Sequence, residues 1–437
     1  MSGTKREAGP LYRRLPHGPH GMGREAVARH QRARLYGAMI EAVHQRGYTA
    51  TTVAHVIALA GVSRRAFYEQ FANKEECFLA TYDIAVARSK KKVLDAWLTD
   101  RGWANRVHKS CQAFVEDATE NVTSTRLVLV DALGIGPQAR ERMLLASSAY
   151  ERVVAAGFKL APDGVALPPL APKAIVGGAR YVAFARLRRG REAELPALTD
   201  ELLDWVSAYR SPAAARLHAL AVSNPPHVPP MPAKFLASED KRARVLGAVV
   251  HLTLDEGYGE LTDPQIAQFA GMSTEAFHKQ FPNKQECFLA VLDEFAREAV
   301  ETAATAAAAA SSWPESVYLG VRALVAYFVA HPGLMRMGFI DLFDIGPALI
   351  DRLGDLLEGF AQQLQDTAPE ARRGPALAAE AVTGAMWAVL ASYAVRDRLR
   401  YMPCLADHLT FIVLAPYVGP KAAMETIEGG RRGKLAT

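Results

Sequence analysis

A block near the start of the chain returns, without a gap, 210 residues later. Arg32-Ala33-Arg34 recurs as Arg242-Ala243-Arg244, and Gly47-Tyr48 as Gly257-Tyr258. The run NKEECFLA, from Asn73 to Ala80, recurs as NKQECFLA, from Asn283 to Ala290. Of the 54 positions from His30 to Asp83, 23 are identical at this offset. The register continues further on: Trp103 pairs with Trp313, Asp131 with Asp341, and Ile135-Gly136-Pro137 with Ile345-Gly346-Pro347. Solenoid units run to about 20–50 residues, so a repeat this long implies two whole protomers fused in one chain. Whatever one copy does, the molecule is built to do twice.

The length of 437 residues passes the roughly 250–300 at which a single core stops growing, so several domains are expected. No apolar run reads as long as the roughly 18–20 residues of a membrane span, and the N-terminus is charged where a signal peptide is apolar. No membrane partner and a cytoplasmic location are therefore expected. The four cysteines (Cys77, Cys111, Cys287, Cys404) have no C-x-x-C spacing and no partner His cluster. Neither a metal site nor a disulfide framework is expected from them. Cys77 and Cys287 are repeat equivalents in a helical apolar pattern and read as buried core thiols.

Charge is informative by place. Residues 1–50 carry nine Lys/Arg against three Glu, a net of 9 − 3 = +6, whereas the whole chain is +5. The excess includes Lys5, Arg6, Arg13, Arg14, Arg24, Arg29, Arg32 and Arg34. A basic arm ahead of a folded domain points to a polyanionic partner; a solvated tail without a partner is the plainer alternative.

Gly, Pro and His interrupt residues 9–23, which predicts a disordered arm over 1–23. Helical periodicity then begins, with Tyr36, Met39, Ile40 and Val43 on one face. Helix follows helix with no convincing strand, so the fold class is all-α. From Asn224 to Pro232 (NPPHVPPMP) there are five prolines in nine residues, which cannot continue a helix and favour an extended spacer. The alanine-rich run Ala303–Ala310 reads as a continuing helix.

After Gly47-Tyr48 the chain reads TTVAHVIALAGVSRRAFYEQFANKEE. Thr51 or Thr52 can cap a short helix that buries Val53, Val56, Ile57 and Ala60. Gly61 supplies a turn and Ser63 caps a second helix carrying Phe67 and Phe71. Asn73 caps a third, with Glu76 placed to complete a capping box. Lys74 sits in that helix's first turn, where a phosphate is favoured. Two short helices about a Gly-containing turn form a helix-turn-helix, whose second helix enters the DNA major groove. The second copy, LTDPQIAQFAGMSTEAFHKQFPNKQE, repeats each part, with Asp263-Pro264 as cap and first helical residue.

On these two stretches the chain resembles the TetR family of bacterial transcriptional regulators, and the Ile-Gly-Pro elements resemble that family's helix break ahead of a central helix. The resemblance implies two tandem units, each a three-helix helix-turn-helix DNA-binding domain followed by a helical ligand and dimerisation domain. Together they are expected to form an intramolecular pseudo-dimer. The expected boundaries are 1–23 for the basic arm, 24–83 and 234–293 for the DNA-binding domains, and 84–211 and 294–420 for the effector domains. A Pro-rich linker at 212–233 and a C-terminal tail at 421–437 complete the chain. Segments Pro172–Arg210 and Ala376–Val418 look like the last two helices of each protomer.

The resemblance also assigns roles. Arg64 and Arg65 open the first recognition helix, where arginine can grip guanine through two hydrogen bonds. Thr52, Ser63, Tyr68 and Lys74 join them at the expected DNA interface, with Thr52, Tyr68 and Lys74 on phosphate. Their second-copy equivalents are Thr262, Ser273, Thr274, Glu275, His278 and Lys284. Two arginines have become Thr274 and Glu275, so the halves cannot read the same half-site, and an asymmetric operator is expected. A second unit that has lost DNA contact is the alternative, with Glu275 in its favour and Lys284 against it.

For an apolar or aromatic small-molecule effector, the second half offers Tyr327, Phe328, Met337, Phe339, Phe343 and Trp387 as candidate contacts. Filling a helical core is their competing role. Arg180, Arg186, Arg188, Arg189 and Arg191 make the first half look less like an apolar pocket. No G-x-S-x-G, H-E-x-x-H, Walker A or Rossmann fingerprint stands in its required context, so no enzyme and no cofactor are expected. The leading expectation is a ligand-responsive repressor binding double-stranded DNA. The runner-up is a DNA-binding regulator or architectural protein with no effector.

Overall fold

The computed structural model describes residues 24–162, 165, 167–220, 233–236, 240–370, 376–396 and 398–433. The basic arm and the prolines of 224–232 lie outside them. Among the described residues the chain is all helix, without a strand.

The first copy comprises α1 (Arg24–Ala50), α2 (Val53–Ala60), α3 (Arg64–Tyr68), α4 (Lys74–Leu98), α5 (Trp103–Glu120), α6 (Val122–Leu129), α7 (Pro137–Lys159), α8 (Ala171–Arg188) and α9 (Thr199–Ser207). The second comprises α10 (Lys241–Glu256), α11 (Asp263–Phe269), α12 (Thr274–His278), α13 (Lys284–Ala307), α14 (Trp313–Ala330), α15 (Pro332–Phe339), α16 (Ala348–Thr367), α17 (Ala376–Ala394) and α18 (Ala406–Arg431). The 210-residue register survives as structure: α4 and α13, α5 and α14 begin on equivalent residues.

The expected boundaries at 83/84 and 293/294 fall inside α4 and α13, which run unbroken from the DNA-binding domain into the effector domain. The expected tail at 421–437 also differs. Beyond a break at Gly419 (φ 78°), α18 continues to Arg431 and buries Ala423, Met424 and Ile427. Apolar residues at helical spacing keep this segment on the core.

Each copy has its own core, with Leu35, Met39, Val56, Phe67 and Phe78 in the first matched by Val245, Val249, Ile266, Phe277 and Phe288 in the second. Cys77 and Cys287 are buried there, and burial pushes both thiols up to about 12. The cores then merge where α8 packs on α17. Glycine permits that approach: a Cβ at Gly177 would lie 3.0 Å from the Gly384 carbonyl oxygen, and one at Gly384 would lie 3.0 Å from that of Gly177.

Polar contacts fasten the same seam. Arg188, whose side chain is only 7% exposed, reaches Asp355 (2.9 Å) and Glu358 (2.8 Å) on α16. Arg186 pairs with Glu380, and Arg189 with Glu358. Tyr209 Oη donates to the Ile412 carbonyl at 3.1 Å, and Arg140 Nη1 to that of Ile340 at 2.8 Å. Much of the arginine cluster thus ties one half to the other. The acidic partners of Arg186, Arg188 and Arg189 lie some 160–200 residues away in sequence, beyond any local pattern, whereas Arg191 pairs locally with Glu194.

Among the described residues, two helices, Leu377–Ala394 and Leu399–Arg431, are long and apolar enough by composition to cross a membrane, which corrects the reading that no run was. Packing against the rest of the chain buries 67% and 61% of their apolar windows. An apolar helix needs lipid only when protein does not cover it.

Candidate nucleic-acid interface and effector cavity

Local hydrogen bonds build both helix-turn-helix units the same way. Thr52 Oγ1 accepts from the His55 amide, and Thr262 Oγ1 from that of Gln265. The cap of α11 is therefore Thr262 and not Asp263; Pro264 falls at the second helical position. Asp263 Oδ1 instead accepts from the Lys284 amide at 2.8 Å, bracing the start of α13. Gly61 (φ 60°) and Gly271 (φ 68°) make the left-handed turns. Ser63 and Ser273 cap α3 and α12 through the Ala66 and Ala276 amides. Asn73 and Asn283 cap α4 and α13. Glu76 does not close a reciprocal box; its carboxylate takes the Ala72 amide, a donor that Pro282 lacks in the second copy.

The expected reading residues are at the surface. Arg64, Arg65, Glu275 and His278 are exposed, Tyr68 is half exposed, and Thr274 is partly covered. Arg65 pairs with Glu69 at 2.9 Å, whereas Glu275 pairs with Lys279 at 2.9 Å. The sign of the pair is inverted between copies. Sequence reading singled out Glu275 and missed Lys279, which restores a cation one turn on. Comparing both ends of each i,i+4 pair could have found it.

The two lysines differ from expectation. Lys74 Nζ donates to the Tyr48 carbonyl (2.9 Å) and lies over the Tyr48 ring. Lys284 Nζ donates to three carbonyls, those of Tyr258, Gly259 and Leu261. An ammonium has three N–H donors, so Lys284 is fully occupied holding the turn after α10, while Lys74 keeps two. Burial holds the Lys74 ammonium below its ordinary pKa.

The DNA-binding units are joined to the effector domains at α6 and α15. Gly333 packs on Leu254, and Arg336 donates to the Leu254 carbonyl (3.2 Å), linking α15 to α10. Asp131, at the break after α6, has its carboxyl pushed up to about 6 by burial, against the pull of Arg126 and of His44 on α1. Burial likewise raises Asp341, against Arg336. Neither aspartate lines the effector cavities described next.

The effector domains enclose unequal cavities. The first, about 170 Å³, lies among α4, α5, α7 and α8 and is lined by Trp97, Phe114, Tyr150 and Arg180 among others. The second, about 550 Å³, lies among α13, α14, α16 and α17. Of the expected contacts, Phe328, Phe339 and Trp387 line the second cavity, and Phe339 stacks on Trp387 at 4.3 Å. Phe343 lies instead on a cavity of about 160 Å³ between the halves, which Arg140 and Tyr181 share. Tyr327 and Met337 line none of the three; Tyr327 stacks on Phe295, and Met337 is wholly buried. Sequence reading missed Ala299, Ala303, Ala307 and Gly320, whose small side chains open the space. Among the described residues, no group of three or more His, Cys, Asp or Glu could hold a metal ion.

No curated protein matches the chain. Similar solved structures include the fatty acid degradation regulator FadR from Bacillus halodurans, at 13% identity over 39% of this chain and 95% of that one, with a TM-score of 0.35. FadR from Bacillus subtilis, solved in complex with stearoyl-CoA, aligns at 13% identity over 39% and 95%, with a TM-score of 0.37. A TetR-like regulator from Rhodococcus sp. RHA1 aligns at 18% identity over 44% and 96%, with a TM-score of 0.33. The profile of bacterial regulatory proteins of the tetR family matches twice, at residues 38–81 and 246–291. These matches coincide with the two helix-turn-helix units, and the chain carries two DNA-binding domains of the tetR family of bacterial transcriptional regulators in tandem.

Proposed function

We propose that the protein is a ligand-responsive repressor in which one chain acts as a pseudo-dimer on an asymmetric operator, with no catalytic activity of its own. The observation that carries this reading is the packing of α8 on α17, which ties the two effector domains, and with them two helix-turn-helix units, into one body. Covalent fusion makes that pairing intramolecular and independent of concentration. The second cavity supports ligand response, because α15 contributes Phe339 to its wall and also contacts α10 below the second recognition unit. A ligand that repositions α15 would tilt α12.

Selection from random DNA, followed by fluorescence anisotropy and light scattering of the complex, tests the reading. The expected result is one chain per operator and two unlike half-sites. Two chains per operator, or a perfect palindrome, would overturn it.

A further inference from the structure

We propose that the chain takes a single effector, in the second copy, because Trp97 occupies the equivalent space in the first; this rests on the ligand-responsive reading above. Positions on α4 and α13 correspond at the 210-residue offset, so their side chains can be compared one by one. Ser89, Val93 and Trp97 become Ala299, Ala303 and Ala307, and Ser110 across the cavity becomes Gly320. The Trp97 indole is fixed between α5 and α7. Arg106 lies 5.6 Å from its ring, and a Cβ added at Gly157 would meet it at 3.1 Å. In the second copy Gly320 faces the Ala303 carbonyl and Ala307 Cβ, and Thr367 stands where Gly157 meets the indole.

The first cavity, at about 170 Å³, compares with the roughly 150 Å³ that admits benzene. The second, at about 550 Å³, lies in the range of small-molecule sites.

The walls define the chemistry of an occupant. The ionisable liners Asp293 and Arg352 pair with each other, the Thr383 hydroxyl donates to the Ala379 carbonyl, and the Ser316 hydroxyl to that of Trp313. No charge is left to meet a charged group inside. The Trp313 indole N–H carries no hydrogen bond, whereas that of Trp103 donates to the Gly157 carbonyl at 3.0 Å. The lining follows α13 from Leu289 to its C-cap Ala308, nineteen steps and so about 28 Å at 1.5 Å per residue. The occupant is therefore an elongated molecule whose buried part is uncharged and apolar.

Nile red, a neutral elongated dye that brightens in apolar surroundings, is the probe. Titration into the full chain is expected to give one site per chain. Trp97→Ala should add a second site, and Ala307→Trp should weaken the native one by about tenfold or more through overpacking. Two equivalent sites in the unaltered chain, no binding up to the dye's solubility limit, or an unchanged site in Ala307→Trp would overturn the proposal. Because the dye also brightens on apolar surface exposed by misfolding, operator anisotropy checks that both variants fold. If the dye binds once per chain but leaves operator affinity unchanged, the single-site proposal stands and the ligand-responsive reading falls. If it binds twice and releases DNA, the reverse holds.

Discussion

The two DNA-binding domains share an interior and differ on the surface, whereas the two effector domains share helix positions and differ inside. In the first pair the caps, the turn glycines and the buried Phe67/Phe277 and Cys77/Cys287 are retained, while Arg64-Arg65-Glu69 faces Thr274-Glu275-Lys279. In the second pair, equivalent helices enclose about 170 Å³ on one side and about 550 Å³ on the other. The difference teaches where each domain meets its partner. DNA touches an outer face, so recognition can change without repacking. A small molecule held within would be recognised by core side chains, so its recognition would change only when those side chains change size.

The sharpest way to break this comparison is to separate the halves. Gly177→Leu or Gly384→Leu forces a side chain into the facing backbone, and overpacking at a closed contact costs typically 1–3 kcal/mol and here at least about 3, because the obstacle is main chain. Urea denaturation should show that loss, with operator binding lost alongside it. Wild-type stability in both variants would mean that the copies fold independently.

Next in size is the contrast between recognition helices. Arg64→Ala or Arg65→Ala should cost about 1–3 kcal/mol of base discrimination in one half-site, and Thr274→Ala less. Anisotropy on operators with one altered half-site measures each. Equal losses in both half-sites would remove the asymmetry.

Asp131 gives a test by pH. Its folded pKa of about 6 lies above the unfolded value of about 3.9, so the folded state binds more protons between them. Stability should therefore fall as pH rises through about 4 to 6, and Asp131→Asn should abolish that slope. The gain at neutral pH is expected to be about 1–2 kcal/mol after allowing for solvent screening. Thermal melts at pH 4 and pH 7 decide; a parallel slope in variant and parent would refute the assignment.

The smallest effect concerns Glu275. Glu275→Arg removes an anion near a polyanion and frees Lys279, so the log–log salt slope should steepen by up to about 0.9 for each further phosphate neutralised. An unaltered slope would mean that α12 stands clear of the DNA.

Much of the scaffold was legible because it is local. A Thr, Ser or Asn before a helix and a glycine at a left-handed turn act over three or four residues, and the repeat presented each signal twice. Caps were misplaced only where neighbours compete, as when Thr262 took the role assigned to Asp263. The lysines' carbonyl contacts were not legible because those partners lie 23–26 residues upstream, brought near by the fold. Half of the six aromatic and sulfur candidates, Phe328, Phe339 and Trp387, reached the second cavity. The rest went elsewhere because helical spacing fixes a face and not which neighbour that face meets.

By itself the sequence determined an all-helical chain of two tandem helix-turn-helix units, which resemble the tetR family, since periodicity, capping and an ungapped repeat are properties of residue order. Only the tertiary structure decided that Arg186, Arg188 and Arg189 fasten one half to the other, that α18 holds the C-terminal segment against the core, and that an alanine stripe hollows one effector domain while Trp97 fills its twin. The physical reason is that charge pairing and cavity volume belong to the meeting of surfaces distant in sequence. An alanine reads as a good helix former wherever it stands, and becomes empty space only when the opposite wall fails to fill the gap.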